Sequence, residues 1–226
     1  GYIGLETAEN LVEAGTDVVV VELLDQVMAN TLGPEMATGV ASHVRDNGVD
    51  LRLGTGVDAL TERDDGTVIA TVDGTDREFD LVVVATGVTP RTRLAESAGV
   101  EIHESGAVVV DDRMRTSVPN IHAVGDVAAP PAVRGDENAW VPLGGPANRM
   151  GRVAANDVAG RDDRRDPVLD NAIAKVFDPD VGTVGDTAEA LDESGRAYEA
   201  VYTSQPGHAE YYPGGSEIDF KLLFDH

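Results

Sequence analysis

Apolar and polar positions alternate in two periods along this chain. After the turn Gly1-Tyr2-Ile3-Gly4-Leu5-Glu6, apolar positions recur with helical spacing as far as Gly15. Val18 to Val21 then read as a buried strand, closed by Glu22. A second helical pattern opens at Pro34, carries Met36, Val40 and Val44 on one face, and stops at Asn47-Gly48. Val49 to Leu53 is a short strand. Val57 to Leu60, Val68 to Val72 and Arg77 to Phe79 alternate with period two, and Asp65-Gly66 and Asp73-Gly74 break them into a meander with tight turns. Leu81 to Ala85 is apolar at every position, the pattern of a buried parallel strand, and Thr86-Gly87 ends it. Strands and helices that alternate, interrupted by a meander, predict α/β architecture.

Beyond Pro90 the pattern continues through an apolar-periodic turn around Leu94 and Ala98, a strand at Ala107 to Val110, and an apolar strand at Ile121 to Val124 that ends in Gly125-Asp126. Ligands in open α/β sheets sit at the carboxyl ends of strands, so Asp126 is placed to accept a hydroxyl hydrogen bond from a polyol or sugar. Residues 128–146 are rich in Pro and Gly, hold Trp140, and read as a loop over a ligand or an interface. A helix from Ala147 to Ala159 stops at Gly160, and the charged run Arg161 to Asp166 reads as a linker. A further unit follows: strand Ala172 to Phe177, helix Thr187 to Asp192, strand Tyr198 to Thr203 and hairpin strand Glu217 to Phe224.

The opening stretch also carries chemistry. A glycine turn, a helix and a strand closed by an acid make most of a dinucleotide-binding βαβ unit. Gly1 falls where the backbone must approach a pyrophosphate and a Cβ would collide. Gly4 falls where helix and sheet pack closely, and the helix N-terminus offers its N–H groups to phosphates. Glu22 follows Gly4 by 18 positions (22 minus 4) and is placed to accept hydrogen bonds from a ribose 2′-OH. The competing reading is a helix-start turn and one more surface acid. No Arg or Lys lies between Glu22 and Gly33, so a 2′-phosphate would meet only acids, which favours NADH over NADPH. The fingerprint asks for three glycines, and Gly1 and Gly4 fill the last two. The first glycine and its strand would lie upstream of residue 1, so the chain reads as a fragment.

Composition narrows the partners. The 226 residues are enough for one large or two ordinary domains. Acids outnumber bases 41 to 17, for a net charge of −24, and only Lys175 and Lys221 are lysines. Such a field excludes nucleic acid and anionic membrane surfaces as natural partners. An acidic, lysine-poor surface suits concentrated salt, where self-repulsion is screened within about 3 Å at 1 M. The chain has no cysteine, hence no disulfide framework and no thiolate metal site. Asp178, Asp180, Asp186 and Glu189 mimic a calcium-loop spacing, but Thr183 stands where glycine is required and Pro179 follows the first acid.

Four stretches together resemble the flavin-dependent pyridine nucleotide–disulfide oxidoreductases, and most nearly their coenzyme A-disulfide reductase and NADH oxidase branch. They are Gly1 to Glu6 with Glu22; Val84-Ala85-Thr86-Gly87 with Pro90; Thr116 through Ile121 to Gly125-Asp126; and Pro142-Leu143, Ala147-Asn148 and Gly151-Arg152 through Asn156 to Gly160. The resemblance implies a Rossmann-like NAD-binding domain over 1–87, the C-terminal part of an FAD-binding domain over 88–160, a linker over 161–167, and an incomplete α+β dimerisation domain over 168–226. It implies FAD and NAD(P)H as cofactors, with Gly1, Gly4, Glu6, Glu22, Gly87, Gly125, Asp126, Leu143 and Ala147 binding them. Glu6 would lie beside the nicotinamide, or simply be an acid near a helix N-terminus. Asp126 would bind the ribityl chain.

Tyr211 and Tyr212 lie in His208-Ala209-Glu210-Tyr211-Tyr212-Pro213-Gly214, the branch-specific part. They would reach a partner subunit's active site, or serve as aromatic anchors before a turn. The resemblance further implies a cytoplasmic homodimer that reduces a small-molecule disulfide or oxygen. The family's first flavin box and its redox cysteine are absent from this chain, which leaves a non-catalytic nucleotide-binding or dimerisation module as the alternative. His43, His103, His122 and His208 show no ligand spacing and read as solvated or core residues.

Overall fold

The computed structural model describes residues 1–133, 138–169, 171–208, 213 and 216–225. They belong to two compact units, Gly1–Thr86 with Ile173–His226, and Gly87–Ala172.

In the first unit, helix α1, Tyr2–Glu13, has Gly1 as its N-cap and turns its Leu5, Ala8 and Glu9 face inward. Gly15, at φ 83°, closes it with a left-handed residue that glycine adopts without a Cβ penalty. Strand β1, Val19–Val21, leads through helix α2, Pro34–Asp46, to strand β2, Asp50–Arg52, and the two strands pair in parallel with Val20 opposite Leu51. Pro34 stands in the first turn of α2, where its missing N–H costs nothing. Ala37, Ala41 and Val44 are the buried face, and they join Leu5, Leu32 and Leu51 in one apolar cluster.

The meander forms as expected. Strands β3, Val57–Glu62, β4, Val68–Val72, and β5, Thr75–Phe79, pair antiparallel in chain order. Asp73 and Gly74 both take positive φ, 48° and 70°, as a two-residue turn matched to strand twist requires.

Residues 81–85 do not form the expected strand. Leu81, Val83 and Val84 are 66%, 50% and 67% exposed. A strand of the buried parallel kind is made by its neighbours, and among the described residues none pairs with this run. The run nevertheless passes α1, because a Cβ on Gly4 would stand 3.6 Å from Ala85 Cβ.

The C-terminal stretch of this unit contains β8, Asn171–Lys175, and β9, Asp180–Val184, as a pair, with Phe177 at φ 58° in the connection. The sequence reading missed β9. Thr187 caps helix α5, Ala188–Glu193, through its hydroxyl, which accepts the Ala190 N–H at 3.2 Å. Strands β10, Glu199–Pro206, and β11, Glu217–Phe224, make an antiparallel hairpin. Val201, Phe220 and Leu222 on it are 48%, 51% and 61% exposed.

Both lysines of the chain tie this stretch to the helices of the nucleotide-type half. Lys221 Nζ donates to Glu35 Oε2 at 2.8 Å. Lys175 Nζ donates to Glu9 Oε1, and the Phe177 N–H donates to Glu9 Oε2 at 2.7 Å.

The second unit has helix α3, Arg93–Ser97, the short strands β6, Val108–Val109, and β7, Ala128–Ala129, paired in parallel, and helix α4, Gly144–Val158. Met114, Val108, Met150 and Val153 are its fully buried centre. Ile121 to Val124 is not an extended strand. It makes a single bridge, His122 opposite Arg115, and a 3-10 turn at Gly125–Val127 carries the chain to β7. The parallel pairing in this stretch lies at Ala128–Ala129, where β6 offers a partner. Helix α4 begins three residues before Ala147, and Pro146 sits in its first turn, where proline is tolerated.

Candidate functional site

Each unit presents one candidate site. In the first, the helical hydrogen bonds of α1 begin with Leu5 N–H to Gly1 C=O at 3.3 Å, so the amides before it face out of the helix end. A Cβ built on Gly1 would meet no atom within 4 Å, which leaves open space before that end. Glu22 stands directly after β1, and its backbone is pinned on both sides. Its N–H donates to Arg52 C=O at 2.9 Å, and its C=O accepts the Thr55 N–H at 3.0 Å. Its carboxylate accepts the Leu24 N–H at 3.1 Å, and the other oxygen lies 3.7 Å from Gly1 N. The two ends of the fingerprint, remote in sequence, therefore meet. Glu6 is exposed on α1. This arrangement suits a dinucleotide: helix N–H groups for the pyrophosphate and an anchored carboxylate for the ribose.

In the second unit, Gly125 takes φ 77° and starts the 3-10 turn that carries Asp126. The Asp126 side chain is exposed, and a Cβ on Gly125 would meet no atom within 4 Å. Gly87, at φ 112°, likewise has open space around it. Leu143 is the N-cap of α4, and Ala147 N–H donates to its C=O at 3.0 Å. An exposed carboxylate on a glycine turn and a helix N-terminus within one unit suit a ligand with hydroxyls and a polar ring edge. Tyr211 and Tyr212 lie outside the described residues.

A charge network absent from the sequence reading lies at the other end of α4. Asp157 has a side chain only 5% exposed. Its Oδ2 accepts Arg115 Nε at 2.8 Å and its Oδ1 accepts Arg115 Nη2 at 2.6 Å. His122 Nε2 lies 2.8 Å from Oδ2, and against a carboxylate that nitrogen must carry the hydrogen and donate. The Arg115 bonds first, and then His122, hold the Asp157 carboxyl far below the usual carboxylate range. His122 is thus neither solvated nor a plain core residue. Its pairing could be seen only once the bridge to Arg115 was known. An open surface groove beside the network is lined by Arg113, Arg115, Arg161 and Arg164 with Asp157 and Asp162.

Among the described residues, no cluster of three or more His, Asp and Glu side chains is set to hold a metal. The calcium-like acids do not fold as a loop between helices: residues 180–184 are strand β9. No helix among the described residues is long and apolar enough to cross a membrane.

The geometry defines an α/β protein with a dinucleotide-type βαβ half. Comparison with known proteins names the family. Residues 1–155 match the family model described as pyridine nucleotide-disulphide oxidoreductase, and the chain belongs to that family. The NAD(P)H sulfur oxidoreductase (CoA-dependent) of Pyrococcus furiosus is 34% identical over the whole chain, which covers 51% of that protein. The solved NAD-dependent persulfide reductase from A. fulgidus superposes with a TM-score of 0.92 at 37% identity, over 99% of this chain and 41% of that one. An engineered water-forming NADPH oxidase bound to NADPH, made from the Lactobacillus brevis NADH oxidase, gives a TM-score of 0.89 at 28% identity, over 100% of this chain and 50% of that one. The chain spans about half the length of the curated relatives it matches.

Proposed function

We propose that the whole protein is an FAD-dependent oxidoreductase that takes hydride from NADH and passes the reducing equivalents to CoA-disulfide, a related thiol acceptor or oxygen. The observation that carries this reading is Glu22, fixed 3.7 Å from Gly1 N at the head of α1. A dinucleotide on that helix end would lay its pyrophosphate over Gly1 and Gly4 and its adenosine ribose on Glu22. The engineered oxidase supports the assignment. Its substitutions replace a glycine and, eighteen positions later, an aspartate, with an arginine brought in at the next position. Gly4 and Glu22 have the same spacing, and Leu23 is the residue after Glu22, the counterpart of the position that takes the arginine. The preference for NADH follows from repulsion between a 2′-phosphate and an uncompensated carboxylate.

Bound flavin would supply the redox chemistry, accepting hydride from the nicotinamide and giving up two electrons to the acceptor. This chain's own residues bind and orient. Asp126 holds the ribityl hydroxyls, and Gly125 keeps the backbone close without a side chain in the way. Gly87, Leu143 and Ala147 border the ring, and Glu6 borders the nicotinamide. The relatives' names support the acceptor class, since the Pyrococcus protein is named a CoA-dependent sulfur oxidoreductase.

The protein is cytoplasmic in this reading and tuned to high salt by its charge of −24. It is a homodimer whose β10–β11 face, with Phe220 and Leu222 exposed, is covered by the second copy, toward which Tyr211 or Tyr212 would reach. One observation favours a second reading: the chain holds no cysteine, as a nucleotide-binding or dimerisation module without redox chemistry would.

Anaerobic mixing of the whole protein with NADH separates the two. The enzyme reading requires flavin to copurify and its visible absorption to bleach at stoichiometric NADH. Protein that carries no flavin, or flavin that stays oxidised, rules it out.

A further inference from the structure

Trp140, the chain's only tryptophan, lies in the described stretch 138–143 that leads into α4. The segment is fastened at both ends. Asn138 Nδ2 donates to Val110 C=O at 2.7 Å and to Ala129 C=O at 2.6 Å, and Ala139 N–H donates to Pro130 C=O at 2.9 Å. At the far end Leu143 caps α4 and accepts the Ala147 N–H. Between these anchors the half-buried indole reaches the Gly125–Val127 turn, and Trp140 Nε1 donates to Asp126 C=O at 2.8 Å.

That carbonyl is one that the turn does not satisfy by itself. In the 3-10 turn Gly125–Val127, the Ala128 N–H returns to Gly125 C=O, and the next carbonyl, that of Asp126, has no backbone donor of its own in the turn. Gly125, at φ 77°, brings no side chain of its own to brace the turn. The indole therefore fixes the peptide that follows Asp126.

We propose that Trp140 is a positioning residue of the flavin site: its indole N–H locks the Gly125–Val127 turn in the geometry that presents the Asp126 carboxylate to a ribityl-type polyol, and links that turn to the start of α4. The inference rests on the flavin reading of Asp126 given above. Trp140 touches neither cofactor nor reacting atoms in this role. A pre-ordered carboxylate binds more tightly because the ordering has been done before the ligand arrives.

The test uses the whole protein freed of FAD and titrated with FAD, comparing wild type, Trp140→Phe and Asp126→Ala. Phenylalanine keeps an aromatic ring and removes the donor. The FAD Kd of Trp140→Phe should rise roughly fivefold, the equivalent of one ordinary hydrogen bond. The melting temperature of its FAD-free form should move by less than about 2 °C. Wild-type indole emission should change on FAD addition with the same midpoint as the flavin signal. An unchanged Kd overturns the proposal, as does a raised Kd accompanied by a drop of the FAD-free melting temperature well beyond that bound, which marks a merely structural residue. If Asp126→Ala weakens FAD and Trp140→Phe does not, the positioning role falls and the flavin reading stands. If neither variant weakens FAD, both fall together.

Discussion

Replacing Glu9 should unfasten the C-terminal stretch of the first unit from its nucleotide-type helix. Glu9 is 4% exposed on the inner face of α1 and accepts two bonds, from Lys175 Nζ and from the buried Phe177 N–H. Glu9→Ala leaves that N–H without an acceptor, a loss of about 1–3 kcal/mol. Lys175 has a side chain 57% exposed, so water takes over its ammonium and the ion pair adds little. For a chain of this length the loss corresponds to a drop of about 2–12 °C in melting temperature. Glu9→Gln keeps an acceptor for Phe177 and loses only the charge, so its drop should be less than half as large.

The same carboxylate gives a pH signature. The Lys175 hydrogen bond, and behind it the Phe177 N–H, hold its pKa below the ordinary 4.5 against the opposing effect of burial. A depressed folded value contributes its stability in full above the unfolded pKa and loses it as pH falls through the folded value. Wild type should therefore shed part of its stability below pH 4.5, and Glu9→Gln should lack that component. Thermal melts from pH 7 down to pH 3, with amide exchange followed at Phe177, measure both effects. Equal drops for the Ala and Gln variants, or no change in Phe177 protection, would refute the reasoning.

Two other outcomes follow from the charges. Asp157→Asn should lower the melting temperature more than Asp64→Asn on the exposed meander turn, because only Asp157 is buried between Arg115 and His122. Its depressed pKa means that this difference persists at every pH above 3.8 and closes only in stronger acid, a comparison made by paired melts. With a net charge of −24, the fold should gain stability as sodium chloride rises from low to molar concentration. A melting temperature that stays flat over that range would remove the reading of a salt-adapted surface.

Elements whose cause is local were legible in the sequence. The glycine turn of α1, the Pro34 start of α2 and the Asp73-Gly74 turn each act within a few residues, and each lies where the pattern puts it, while the helix read from Thr187 begins one residue later with Thr187 as its cap. Leu81 to Ala85 and Ile121 to Val124 were misread for one shared reason. An apolar run shows what it would tolerate on either side, and says nothing of whether a neighbouring strand is there.

The Asp157 network depended on a bridge between Arg115 and His122 that no spacing announces. Glu9 did leave a signal. An acid at the buried phase of α1, beside Leu5 and Ala8, requires hydrogen-bond donors or a cation, though nothing in the sequence says which of the 17 basic residues supplies it. In the candidate sites, the motifs singled out Gly1, Glu22, Gly125 and Asp126 as residues to examine. The hydrogen bond from Trp140 to Asp126, across fourteen positions, came only from the fold.

The central claim, that Glu22 receives the adenosine ribose at the head of α1, is tested most directly by nucleotide binding. Wild-type whole protein and a Glu22→Ala, Leu23→Arg variant would each be titrated with NADH and with NADPH. Wild type should bind NADH at least tenfold more tightly than NADPH, about 1.4 kcal/mol. The variant should lose or invert that preference, since the arginine supplies a cation where the carboxylate repelled the 2′-phosphate. Equal affinities in wild type, or a preference that the variant leaves unchanged, would show that Glu22 does not face the ribose and would contradict the account.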